Sequence, residues 1–134
     1  MAKILIVEDD VLLSRMYQRI ISSGGNAVEV AYDGEEGLEK AKTDRPHLIL
    51  LDIMLPKMGG LEVLEKLKAD PTTKQIPVIM LSNLSVEEKE EEAMAKGAVK
   101  YLRKANSDPL QIGKIINEIL GHNSPKDIPK KKDE

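Results

Sequence analysis

At 134 residues the chain is one domain's worth, long enough to bury a full core and short for two. Its 41% hydrophobic and 32% charged residues fit an ordinary globular protein, and a net charge of -3, mixed along the chain, argues against a general nucleic-acid binder. The lack of cysteine excludes disulfides and thiol chemistry, and with no signal peptide and no run near the ~20 apolar residues of a membrane span, a cytoplasmic address is expected.

Ile4-Leu5-Ile6-Val7 opens the chain as a short apolar run closed by charge, the pattern of a strand buried on both faces. Leu12, Leu13, Met16, Tyr17, Ile20 and Ile21 then recur at helical spacing until Gly24-Gly25 stops them. Ala27-Val28-Glu29-Val30 is a second strand, and Glu29 marks it as an edge strand with one face partly wet. Asp33-Gly34-Glu35-Glu36 reads as a capping box for a helix carrying Leu38 and Ala41. The third run, Leu48 to Leu51, is the most hydrophobic and belongs at the centre of a sheet. A helix using Leu61, Leu64 and Leu67 follows and ends before Pro71. Val78-Ile79-Met80-Leu81 is the fourth strand. Ser85-Val86-Glu87-Glu88 is a second capping box, for a helix ending at Gly97. Val99-Lys100-Tyr101-Leu102 is the other edge strand. The last helix starts near Ser107-Asp108-Pro109 and carries Leu110, Ile112, Ile115, Ile116, Ile119 and Leu120.

Strict β-α alternation with short connections predicts parallel strands, right-handed crossovers and helices on both faces. Five strands are too few for a β/α barrel, so an α/β doubly wound open sheet is expected. The domain should cover residues 1–122, with 123–134 a polar tail or linker stub.

In such a sheet the active site gathers at the carboxyl ends of the strands. Glu8-Asp9-Asp10 follow the first strand, Asp52 the third, Ser82-Asn83 the fourth, and Lys104 the fifth. An Asp or Ser after a strand is most often the N-cap of the next helix, which accounts for Asp33 and Ser85. It accounts poorly for Asp52, because Ile-Met-Leu-Pro-Lys-Met-Gly-Gly is no helix start. Clustered carboxylates repel and need protons or a cation, and an oxygen-seeking ion such as Mg²⁺ suits them. Glu8, Asp9 and Asp52 carry three negative charges; Lys104 and Mg²⁺ would offset them. An acyl phosphate of about -2 on Asp52 would then leave the site only slightly negative. Metal-dependent phosphoryl transfer is the chemistry this set can perform, with Asp52 as nucleophile and Ser82 as a hydrogen-bond donor.

These stretches resemble the receiver domain of two-component response regulators over residues 2 to about 121. The marks are Ile-Leu-Ile-Val-Glu8-Asp9-Asp10, then Leu-Leu-Asp52-Ile-Met-Leu-Pro56-Lys-Met-Gly59-Gly60, Ile-Met-Leu-Ser82-Asn83 and Tyr101-Leu-Arg-Lys104. Each is weak alone; four in order are specific. The resemblance implies a flavodoxin-like strand order 2-1-3-4-5. It implies Asp52 as phosphoacceptor, Asp9 as direct Mg²⁺ ligand, Glu8 in the first acidic position and the Met54 backbone carbonyl as the remaining protein ligand. Ser82 matches the switch hydroxyl, Tyr101 the switch aromatic and Lys104 the phosphate-binding lysine, while Asp10 reads better as a helix cap. Met54 and Leu84 match positions flanking the path of the hydrolytic water. The implied partner is a sensor histidine kinase or a histidine phosphotransfer protein, with no membrane or direct nucleic-acid contact, in a monomer or a phosphorylation-dependent dimer. The implied role is a regulator that promotes its own phosphorylation and dephosphorylation, without turnover of a separate substrate.

One departure stands out. The family usually has proline after the lysine, often with a cis bond, and here Ala105 follows Lys104. A non-proline cis bond costs ~2.5–4 kcal/mol, so either the bond is trans with a rearranged loop or that cost is borne.

A haloacid-dehalogenase-type phosphatase also uses an Asp after a strand, but it needs a second Asp two residues on, where this chain has Met54. A flavodoxin-like mononucleotide binder would need a Ser/Thr/Gly-rich loop where Glu8-Asp9-Asp10 stand. His47 reads as a surface imidazole, His122 as a helix-end contact, Glu87 to Glu92 as a solvated face, and Lys130-Lys131-Lys132 as a solubilising tail.

Overall fold

The computed structural model describes residues 2–82, 87–104 and 108–121. The expectations for Asn83, Leu84, the Ser85 cap, the Lys104–Ala105 bond, Ser107, His122 and the 123–134 tail lie outside the described residues. Ten elements alternate: β1 (Lys3–Val7), α1 (Val11–Ser23), β2 (Ala27–Ala31), α2 (Gly34–Asp44), β3 (Leu48–Asp52), α3 (Gly60–Ala69), β4 (Val78–Ser82), α4 (Glu87–Ala95), β5 (Lys100–Arg103) and α5 (Pro109–Leu120).

All five strands are parallel, in the order β2-β1-β3-β4-β5. The pleat divides β3 between two cores. Leu48 and Leu50 face α1 and α5, with Tyr17, Ile21, Ile112 and Ile116. Ile49 and Leu51 face α2, α3 and α4, with Ala41, Val63, Leu64, Leu67 and Ala93. Leu48, Ile49, Leu50 and Leu51 are all fully buried, and each contributes ~1.5–3 kcal/mol relative to exposure. That burial fixes where the strand ends, and Asp52 is its last residue.

The edge strands are wetter, as Glu29 and Lys100 require, and both are exposed. β5 runs Lys100–Arg103, one residue later than the apolar run suggests. Val99 lies just before the strand, its N–H donating to the Val78 carbonyl at 2.9 Å, and the residue is exposed. Periodicity cannot see such a shift.

Caps fix the helix starts. Asp10 accepts from the Leu13 N–H at 3.1 Å, Asp33 from Glu36 at 2.8 Å and Asp108 from Leu110 at 2.9 Å. Glu36 does reach back, but to the Tyr32 N–H at 2.9 Å, one residue before the cap. α1 ends at Ser23, and of the two glycines after it Gly25 takes the left-handed turn at φ 93°. α4 ends at Ala95, before Gly97 turns at φ 110°. Glu90, Glu91 and Glu92 are exposed along it. Lys89 and Lys96 pair with Glu92, so the acidic run has a solvated face. His47 is exposed, and its Nδ1 accepts from the Lys3 N–H at 2.9 Å. Among the described residues no helix is long and apolar enough to cross a membrane.

Candidate phosphoacceptor site

The adjacent strands β1 and β3 end side by side, Val7 against Leu51, so the residues that follow them meet. The Glu8 N–H donates to the Ala31 carbonyl at 3.0 Å, continuing the ladder to β2 by one step, and its side chain is buried. Asp9 is exposed. Asp52 is buried, and the Met54 N–H donates to its Oδ1 at 3.2 Å.

Lys104 reaches across from the end of β5. Its Nζ donates to Glu8 Oε1 at 2.7 Å and to Asp52 Oδ2 at 3.1 Å. Carboxylate oxygens of Glu8, Asp9 and Asp52 all lie within 4.8 Å of one another. The hollow they share is about 420 Å³, lined also by Asp10, Leu13, Met54 and Lys104.

The electrostatics of this hollow are unbalanced. Three carboxylates face one ammonium, so the described side chains leave an excess of negative charge. Burial above all, with the Asp52 charge adding to it, pushes the Glu8 carboxyl up to about 7, against the pull of its bond to Lys104. Burial works to lower the Lys104 ammonium, but its bonds to Glu8 and Asp52 outweigh that and raise it above the usual lysine value. The donor set is all oxygen and anionic, which fits a hard divalent cation such as Mg²⁺ and offers nothing to a soft one.

Of the residues singled out from sequence, Glu8, Asp9, Asp52, Met54 and Lys104 line one hollow. Ser82 is fully buried at the end of β4 and does not line it. Tyr101 sits half-buried in β5 against the α2–α3–α4 core, and its hydroxyl is buried without a hydrogen-bond partner among the described residues. Asp10 caps α1 as expected, and its N–H also donates to Glu8 Oε2 at 3.1 Å.

Two contributors escaped the sequence reading. Leu13, which periodicity places in the apolar stripe of α1, lines the hollow. Helical periodicity gives Gly60 no role, yet a Cβ there would lie 2.2 Å from the Asp52 carbonyl oxygen, so the chain returns too close to Asp52 for any side chain. A glycine eight residues after the candidate nucleophile was the available signal.

Residues 4–117 match the response regulator receiver domain family. The chain is 36% identical over 119 residues to the polar-differentiation response regulator DivK of Brucella anthropi, covering 89% of this chain and 94% of DivK. It is 34% identical over 114 residues to the response regulator PleD of Caulobacter vibrioides, covering 85% of this chain but only 25% of PleD. The chain thus spans nearly all of one relative and about a quarter of another. Among solved structures, a CheY-like receiver domain protein from Methanospirillum hungatei superposes with a TM-score of 0.82 at 33% identity, covering 90% of this chain and 94% of that one. The phosphorylated cyanobacterial phytochrome response regulator RcpA superposes at 0.80 with 34% identity, covering 92% and 96%.

Proposed function

Because the chain belongs to the response regulator receiver domain family, the phosphoacceptor units of two-component systems, we propose that Asp52 is the residue that takes the phosphoryl group. The observation that carries this reading is the placement of its carboxylate. Asp52 ends the central strand with one oxygen fixed by the Met54 N–H and the other beside the Lys104 ammonium, and it caps no helix.

In the transfer, an Asp52 oxygen attacks phosphorus and the bond to the donor breaks, the electron pair leaving with the donor. Histidine kinases and phosphotransfer proteins are the partners of receivers, so the donor here is a phosphohistidine on one of them. Lys104 meets the developing phosphoryl charge, and Ser82 supplies a hydroxyl donor as the group settles. Asp9, Asp52 and the Met54 carbonyl would hold Mg²⁺, with Glu8 acting directly or through water. When bound, the ion supplies the positive charge that a site with a net excess of carboxylates lacks. Tyr101 moves after Ser82 is drawn toward the phosphoryl group, and the changed surface is the output. The chain is thus a cytoplasmic regulator rather than a turnover enzyme, with the receiver unit over residues 1–122.

Intact mass after incubation with acetyl phosphate and Mg²⁺ tests the assignment. One phosphoryl mass is expected on the parent and none on Asp52→Asn. Full labelling of that variant would place the acceptor elsewhere.

A further inference from the structure

We propose that Gly34, at the start of α2 and outside the acidic hollow, is a positioning residue for the loop that carries the acceptor chemistry. The inference rests on the phosphoacceptor reading of Asp52 and extends it to α2.

The loop between β3 and α3 runs from Ile53 to Gly59, and its two ends are tied together by the Gly60 N–H to the Ile53 carbonyl at 3.0 Å. Its far side rests on the first turn of α2. A Cβ at Gly34 would lie 2.0 Å from the Met58 carbonyl oxygen and 2.8 Å from the Met58 carbonyl carbon and Cβ. Favourable contact begins near ~3.5 Å, so the two backbones touch with no room for a methyl group. The Gly34 N–H points to the Pro56 carbonyl at 3.4 Å, which also accepts from Met58 at 2.7 Å. Lys57 between them is left-handed at φ 69°, and its Nζ lies 3.7 Å from Asp33 Oδ2. A non-glycine residue at positive φ stores strain that its surroundings must hold in place. The start of α2 is therefore a stop against which the loop is pressed.

An alanine at 34 must push one side away. α2 is seated closely, since a Cβ at Gly37 would meet Val7 Cγ1 at 2.8 Å and Ala41 is fully buried. Pro56 and Lys57 are exposed, so the loop is the side that yields. Met54 rides on that loop, and its N–H orients Asp52 Oδ1. A misplacement of about 1 Å can cost ~10²-fold in a positioned reaction.

The test compares Gly34→Ala with Ile116→Val, a core variant on the opposite face chosen to lower the melting temperature. Gly34→Ala is expected to weaken Mg²⁺ binding at least fivefold, read from amide shifts. It should also slow labelling by acetyl phosphate at saturating Mg²⁺ at least tenfold. Ile116→Val should leave both within twofold of the parent. If Gly34→Ala stays within twofold on both, the contact is packing alone and the proposal fails. Should that variant not fold, titration of the parent decides: the Gly34 and Glu35 amides should shift with those of Asp52 to Met58. Still amides at 34 and 35, while 52 to 58 move, overturn the proposal. A parent that neither binds Mg²⁺ nor takes a phosphoryl group would instead bring down the underlying functional reading.

Discussion

The Lys104 ammonium donates to Glu8 Oε1 at 2.7 Å across 96 residues of chain, while also lying 3.1 Å from Asp52 Oδ2. One cation thus separates two buried carboxylates that would otherwise face each other. Removing one partner of a buried ion pair costs ~3–5 kcal/mol when the other is left uncompensated. Glu8 can take up a proton and the hollow is open on one side, so we predict a smaller loss for Lys104→Met, about 2 kcal/mol. At this chain length that lowers the melting temperature by roughly 5–10 °C. Mg²⁺ should restore more stability to the variant than to the parent, because it replaces the lost charge. Thermal melts with and without Mg²⁺ check this, and an unchanged melting point would mean the bridge contributes nothing.

Asp9 and Asp10 are neighbours with different work. Both are exposed and line the hollow, but Asp9 joins the carboxylate cluster with Glu8 and Asp52, whereas Asp10 caps α1. Asp9→Asn is predicted to weaken Mg²⁺ binding at least tenfold, about 1.4 kcal/mol, with an unchanged melting point. Asp10→Ala is predicted to cost ~1 kcal/mol of stability through the lost cap, with Mg²⁺ affinity little changed. Titration and melting of both variants separate the roles; reversed outcomes would exchange them.

The fold was legible because buried parallel strands write themselves as apolar runs. Ile4 to Val7 and Leu48 to Leu51 carry that signal in full, and the caps Asp10, Asp33 and Asp108 announce their helices. The approximate site was legible too, since strand ends in such a sheet share one edge. What could not be read is three-dimensional. Nothing in Glu8-Asp9 says that the first is buried and the second exposed; that follows from one further ladder bond to Ala31. Nor does Asp33-Gly34 reveal contact with Met58, because the capping signal explains the dipeptide completely until the loop is packed against it.

Tyr101 offers a test of the switch. Its hydroxyl is buried without a partner among the described residues, and an unsatisfied buried polar group costs ~1–3 kcal/mol. Tyr101→Phe is therefore predicted to melt no lower than the parent, and as much as ~1 kcal/mol more stable. Beryllofluoride with Mg²⁺, as a mimic of the phosphorylated state, should shift the amides around Tyr101 along with those of the Asp52 loop. Shifts confined to the loop would contradict coupling between Ser82 and Tyr101.

The last prediction concerns the lifetime of the phosphorylated state. Hydrolysis of an acyl phosphate needs a water in line with the breaking bond, and polar groups at the mouth can orient it. Met54 stands at that mouth. The residue is 59% exposed, it lines the hollow with Glu8, Asp9 and Lys104, and its backbone is pinned by the N–H bond to Asp52. A thioether is bulky and a poor acceptor, so it obstructs water without directing it. Slow self-dephosphorylation is therefore the predicted behaviour. Met54→Asn supplies a donor and an acceptor at the same place, and it is predicted to shorten the phosphorylated lifetime severalfold. Because the backbone amide is kept, initial labelling by acetyl phosphate should change less than the decay does. Phosphate release after removal of the phosphodonor measures the decay directly. A decay no faster than the parent's would mean that the path of the water is set by residues other than Met54.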